Sequence, residues 1–193
     1  AAARTAGLLV VADAKRGDIG TTMAGYAQAW LEPGAPLEAD ALTISPYLGG
    51  GSLSEAITRA LPAGKGVFVL AATSNPEGAS VQQARTAVPG ETVALRVTRD
   101  VTALDASDGA LGSVGLVIGA TIDRALFALD DDTLRTVPLL APGCGAQGAT
   151  PEDLRARFGT LAGNVLASES RSILSAGPDR IAATIDERAA RYQ

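Results

Sequence analysis

Apolar and polar positions along the chain come in blocks rather than singly. Six short apolar runs stand out: LLVVAD (8–13), ALTISP (41–46), GVFVLAAT (66–73), VGLVIGAT (114–121), VPLLAPG (137–143) and VLASES (165–170). Each is short, rich in branched residues and closed by turn formers, which predicts strands buried on both faces. Segments with helical spacing lie between them. TTMAGYAQAWL follows the first run, SLSEAITRAL the second and DRALFAL the fourth, and PDRIAATIDERAARYQ closes the chain. TPEDLRARF begins with Thr150 as N-cap and Pro151 at the first helical position. The section from Pro76 to Asp105 has room for more than one helix, and LDASDGALG (104–112) reads as the flexible stretch. Strands alternating with helices predict parallel βαβ units.

The polar residues are unevenly placed. Nearly every run ends in something polar or turn-forming: Asp13, Ser45-Pro46, Thr73-Ser74, Thr121, Pro142-Gly143, and Ser168 to Ser170. The run starts are bland. A (β/α)8 TIM barrel, an α/β fold, collects its site at the C-terminal strand ends and predicts this asymmetry. A doubly wound open sheet gives a similar pattern, focused on one crevice. A barrel of ~250 residues spends ~31 on each βα unit. The 193 residues therefore suit one domain, 1–193, with about six units, strands 3 to 8 of a barrel. AAARTAG at the start reads as the middle of a helix–strand connection, so the two remaining units are expected ahead of it.

Composition narrows the chemistry. With 47% hydrophobic and 19% charged residues the chain is of ordinary globular type. A net charge of −5 without a basic cluster argues against nucleic acid or an anionic membrane as partner. No apolar run approaches the ~20 residues of a membrane helix. The single cysteine, Cys144, suits a reducing compartment, here the cytoplasm, and reads as a small buried residue. With no histidine, zinc sites of the usual kinds, Ser-His-Asp triads and Cys-His dyads are excluded. Acid–base work falls to Asp, Glu, Lys or Tyr. There are 14 arginines but only two lysines, Lys15 and Lys65, so each lysine position is informative.

Lys15 stands in DAKRGDIGTT (13–22), between Asp13 and Asp18, where the first apolar run ends. An ammonium among carboxylates keeps its proton. It can stabilise a developing anion and then act as a general acid, which arginine cannot do. The bland alternative is a solvated ion cluster at a strand end.

DAKRGDIGTT resembles the Asp-x-Lys-x-x-Asp-Ile-x-x-Thr signature of the orotidine 5′-phosphate decarboxylase family. SPYLGGGSL, VFVLAATSNPEG, PGCGAQG and SESRSIL are similar, in order, to later strand ends of its longer bacterial subfamily. The resemblance implies a homodimeric (β/α)8 barrel with no cofactor. Such an enzyme converts orotidine 5′-phosphate to uridine 5′-phosphate and carbon dioxide in de novo pyrimidine biosynthesis. Carried over, Asp13 would lie against the substrate carboxylate and Lys15 would protonate C6. Asp18 and Thr22 would reach the partner subunit's site. Ser74 would bond the pyrimidine, Gln147 would touch phosphate and pyrimidine together, and Arg171 would clamp the phosphate. Gly143, Gly145 and Gly148 would form the phosphate loop. Of the family's Lys-Asp-Lys-Asp array the chain would supply the last three members, the first lysine and a ribose-binding aspartate coming from strands ahead of residue 1. Lys65 precedes its strand and so belongs at the barrel's bottom.

Other readings stay open on sequence grounds. The Asp-x-Lys-x-x-Asp piece is shared by phosphosugar decarboxylases and synthases of the same superfamily, usually magnesium-dependent. GCGAQG (143–148) spells G-x-G-x-x-G after a strand, with Glu169 about where a ribose-binding acid falls, which allows a nicotinamide-dependent oxidoreductase. A non-catalytic fragment binding a phosphorylated ligand is a third reading. Arg171 on a helix surface and Ser74 as a turn residue are the structural alternatives to their ligand roles. Tyr47 is read as buried filler, and Met23, Tyr26 and Trp30 as core or dimer contacts.

Overall fold

Each of the six apolar runs overlaps a strand, and every strand runs parallel to the next. They are β1 (Val11–Arg16), β2 (Ala41–Ile44), β3 (Gly66–Ala72), β4 (Val114–Ile118), β5 (Leu139–Pro142) and β6 (Val165–Ser168). The structure is a computed structural model that describes residues 2–105 and 111–192. Spatial order equals chain order, β1-β2-β3-β4-β5-β6. A doubly wound sheet must reverse its order at a switch point, and none occurs here, so the open-sheet alternative is set aside. Sequential parallel strands joined through helical crossovers are the construction of a (β/α)8 barrel, of which these six strands form a curled part.

Side chains alternate across each strand, and the alternation separates core from cavity. Leu42 and Ile44, Val67 and Val69, Leu116 and Ile118, and Leu139 and Ala141 point outward into one large core under the helices. Ala41, Phe68 and Val117, with Leu70 and Leu140, form a separate cluster on the inner face. Asp13 and Lys15 stand two apart on β1 and share that inner face.

The first strand lies three residues later than its apolar run predicts. The expected strand was 8–13; the paired strand is Val11–Arg16, while Leu8 and Leu9 are 62% and 87% exposed. The offset comes from pairing. Asp40 takes the Val10 amide on its carboxylate at 2.8 Å, and the ladder to β2 begins beyond it, Val11 opposite Ala41. Apolarity marked the run, whereas the partner strand set the ladder. As a result Lys15 is a strand residue, not one that follows the strand.

The helices match their patterns with one exception. Helix Gly20–Leu31 buries Met23, Ala27 and Leu31, and helix Ser54–Ala60 buries Ala56, Ile57 and Ala60. The 76–105 section holds two, Ala79–Gln82 and Val93–Thr102. Helix Pro151–Phe158 begins on Thr150, whose hydroxyl accepts the Asp153 amide in a full capping box. DRALFAL forms only a 3-10 turn, Arg124–Phe127, because Ala128 turns left-handed at φ 56° and stops it. Most of the stretch expected to be flexible, 106–110, lies outside the described residues.

Candidate active site

Asp13 and Lys15 are brought together by a defect in the sheet. β1 pairs Ala12 with Leu42 and then Arg16 with Ile44, so residues 13 to 15 lie opposite Thr43 alone. This bulge puts Lys15 at φ 49°, one of two non-glycine residues with positive φ among the described residues. For a residue with a Cβ that conformation costs roughly 1–2 kcal/mol. Strain of this kind persists where neighbours over-determine it, which is common at functional sites. Gly17 follows two residues on, and a Cβ there would stand 2.3 Å from the Ser45 carbonyl oxygen, so only glycine lets the motif leave the sheet.

The bulge aims two charges at each other. Lys15 Nζ donates to Asp13 Oδ2 at 2.5 Å, and both side chains are more than half exposed. Burial pushes the Asp13 carboxyl up, but hydrogen bonds from Lys15 and Thr43 and the Lys15 charge outweigh it, leaving the group below its ordinary value. Sequence reasoning missed Thr43. Its one faint signal is that it is the sole polar residue within ALTI.

Asp13 and Lys15 line a cavity of about 640 Å³ at the C-terminal strand ends. Asp13, Lys15 and Ser74 share it with Ser168, Ser170 and an apolar floor of Leu70, Val117 and Leu140. Such a mixture, an apolar floor with a few convergent polar groups, is that of a small-molecule site. Tyr47 also lines it and is 82% exposed, which corrects its reading as buried filler: the loop after β2 carries it out over the cavity instead of into the core. A larger recess of about 830 Å³, around Arg124 and Asp130, collects none of the expected residues.

The other expected residues stand elsewhere. Gln147 is exposed in the loop after β5, and Arg171, exposed at the start of helix Arg171–Leu174, lines an adjoining hollow of about 470 Å³ with Arg188 and Arg191. Asp18 accepts the Ile19 amide at 2.8 Å, and Thr22 is exposed in the first turn of helix Gly20–Leu31; neither lines the cavity. Gly143, Gly145 and Gly148 all have positive φ, and the amides of Gly145 and Gly148 are spent on the loop's own hydrogen bonds. Gly145 is obligatory for a second reason, since a Cβ would meet Ser172 Oγ at 2.3 Å.

Glu169 is not positioned as a ribose-binding acid. Its side chain is 3% exposed, and it accepts hydrogen bonds from Tyr192 (2.8 Å) and Ser172 (2.9 Å) while Arg188 approaches at 3.5 Å. The terminal helix, Ile181–Tyr192, is thereby tied to the end of β6. Burial, followed by the hydrogen bond to Glu169, pushes the Tyr192 phenol up, and burial likewise raises the Cys144 thiol, which is buried as expected. Met23 is core, while Tyr26 and Trp30 are half-buried, with the Arg16 guanidinium 5.9 and 5.8 Å from their ring centres. Lys65 lies at the N-terminal end of the sheet, as its place before β3 predicts. Among the described residues no group of three His, Cys, Asp or Glu side chains could hold a metal ion, and no helix is long and apolar enough to cross a membrane.

Comparison with known proteins places this geometry in context. The family model described as "Orotidine 5'-phosphate decarboxylase / HUMPS family" matches residues 1–184. A Salinispora tropica protein named orotidine 5′-phosphate decarboxylase is 55% identical over 179 residues, 93% of this chain and 63% of that protein. A Streptomyces coelicolor protein of the same name is 52% identical over 178 residues, 92% of this chain and 62% of that one. The chain thus spans less than two thirds of the length of these relatives. Among solved structures, one from Streptomyces avermitilis assigned to the same enzyme superposes with a TM-score of 0.91 at 49% identity, covering 98% of this chain and 66% of that one. The Leishmania donovani OMP decarboxylase structure gives a TM-score of 0.69 at 31% identity, covering 96% and 67%.

Proposed function

This chain belongs to the orotidine 5′-phosphate decarboxylase / HUMPS family, and from that premise we propose that it decarboxylates orotidine 5′-phosphate to uridine 5′-phosphate in pyrimidine biosynthesis. The observation that carries the proposal is the Lys15 ammonium, 2.5 Å from Asp13 on a strained bulge that faces the cavity. When the C6–carboxylate bond breaks, carbon dioxide leaves and the electron pair stays on C6. That carbanion has little ring delocalisation, so a fixed neighbouring cation lowers its energy. Lys15 then gives its proton to C6, ends neutral, and is reprotonated from solvent. Asp13, set against the departing carboxylate, raises the energy of the bound substrate and has no such effect once carbon dioxide is gone.

Binding energy from the remote phosphate is available for orienting C6. Arg171 and Gln147, with the loop Gly143 to Gly148, are the proposed phosphate contacts. The Ala146 and Gln147 amides support this, for they have no protein acceptor among the described residues. Ser74, on the cavity wall, is the proposed pyrimidine contact. Asp18 and Thr22, both outside this cavity, are assigned across a homodimer interface to the partner's site. No cofactor takes part, and the reducing cytoplasm suits a chain with one thiol.

The test follows decarboxylation of orotidine 5′-phosphate by absorbance, for the protein and for Lys15→Ala, with uridine 5′-phosphate binding measured in parallel. Turnover that is unaffected by chelator and lost in Lys15→Ala is expected. Turnover that survives Lys15→Ala would overturn the assignment. So would the absence of both turnover and nucleotide binding.

A further inference from the structure

Thr43 occupies an unusual place in the sheet. It is 0% exposed, lies in the middle of β2, and is the single β2 residue facing the three-residue bulge of β1. A bulge breaks the ladder, so the amide within it loses its backbone acceptor. Here the Lys15 amide donates to Thr43 Oγ1 at 2.9 Å, and the backbone ladder resumes only afterwards, the Ser45 amide donating to the Arg16 carbonyl at 2.7 Å. A hydroxyl has one proton and two lone pairs. With one lone pair taken by Lys15, the proton points to Asp13 Oδ1 at 3.0 Å, a closer acceptor than the Ala12 carbonyl at 3.5 Å.

We propose that Thr43 is the positioning residue of the site: through one hydroxyl it holds the Lys15 backbone in its left-handed turn and fixes the Asp13 carboxylate against the Lys15 ammonium. The inference rests on reading Asp13 and Lys15 as the reacting pair. It goes beyond that reading by naming what sets their geometry. Valine has the shape of threonine but neither the acceptor nor the proton. It fills the buried site and releases both groups, leaving the Lys15 amide without its acceptor. Serine keeps the hydroxyl and loses only a methyl.

The experiment compares the protein with Thr43→Val and Thr43→Ser. Steady-state kinetics on orotidine 5′-phosphate and the Asp13 carboxyl titration by carbon-13 NMR are recorded for all three. Thr43→Val is expected to lower kcat about 10- to 100-fold, the range of a displaced catalytic group, with KM changed less than threefold. Thr43→Ser is expected to restore kcat to within about threefold. The Asp13 midpoint should rise in the valine variant and stay in the serine variant, since one of the bonds holding the carboxylate ionised is lost. A valine variant with the parent's kcat and Asp13 midpoint overturns the proposal. Should the parent protein show no turnover, uridine 5′-phosphate binding decides the functional reading separately, and the Asp13 midpoint still decides the role of Thr43. If the valine variant does not fold, Thr43→Ala takes its place with the same expected and overturning results.

Discussion

The two lysines of this chain stand in similar company and are held in opposite ways. Lys65 sits at the N-terminal end of the sheet, 6% exposed, bonded to Glu38 at 2.8 Å and to Asp40 at 3.4 Å. Arg4 joins the same two carboxylates, Asp40 also takes the Val10 amide, and Glu38 takes the Gly34 amide. Around Lys65 the charges face carboxylates that are already fully engaged. Lys15, at the C-terminal end, has one bond to one carboxylate and remains 53% exposed on a strained backbone. A buried ion cluster persists when its members satisfy one another. A reacting pair must keep donors in hand for the substrate, and an ammonium with three protons and one acceptor does so. Residue type and carboxylate neighbours are alike at both ends; the saturation of hydrogen bonds separates them.

The sharpest way to break this comparison is to remove each lysine. Lys15→Ala is expected to cut turnover at least about 10³-fold, the scale for losing an electrostatic stabiliser that is also the general acid. Its Tm should move by no more than about 2 °C, because an exposed ion pair contributes little to stability. Lys65→Met should do the reverse. Turnover per folded molecule stays within about twofold, while Tm falls by roughly 3–6 °C as the carboxylates lose a buried partner. Equal losses of turnover in both variants would erase the distinction.

The bottom cluster also predicts an acid limb in stability. Arg4, then Lys65 and the Gly34 amide, hold the Glu38 carboxyl down at about 2, and the Val10 amide leads the causes that lower Asp40. Groups depressed by folding contribute stability that is complete above their unfolded values, near 4.5 and 3.8, and is lost as pH falls toward the folded ones. Tm should therefore be level from pH 7 to 5 and decline between about pH 4.5 and 2. Lys65→Met should decline less steeply over that window. An unchanged slope would mean that Arg4 and the amides alone hold the carboxylates.

How far all this was legible follows from the range of each interaction. The six strands and the N-cap at Thr150 were readable because apolar runs and cap residues act locally. That Asp13 and Lys15 stand where a strand ends was readable from the apolar run before them, but the bulge that turns both toward the cavity was not, because it depends on the pairing with β2. Thr43 was not legible, since a threonine in a strand is ordinary β-branched material until the register places it opposite a bulge. Glu169 was misleading for the same reason: its partner Tyr192 lies 23 residues away on the terminal helix. GCGAQG could be separated from a dinucleotide motif only by the strand order, a global property that no local spacing contains.

The smallest effect tests the comparison most closely, because it asks whether proximity alone is stabilising. Asp13 and Lys15 are 2.5 Å apart, closer than Lys65 is to either of its partners. Distance by itself would rank their pair as the stronger. Solvent screens it, however, and both side chains give up rotamer freedom to meet. A double-mutant cycle with Asp13→Asn and Lys15→Met, read by denaturant unfolding, is expected to give a coupling of about 0–0.5 kcal/mol. That coupling should vanish in 1 M salt, where the screening length is about 3 Å. The cycle of Asp40→Asn with Lys65→Met should give the larger coupling and keep most of it in salt. A top pair that coupled more strongly than the bottom one would mean that the bulge is held by its ion pair, and the hydroxyl of Thr43 would then be a follower of that geometry rather than its cause.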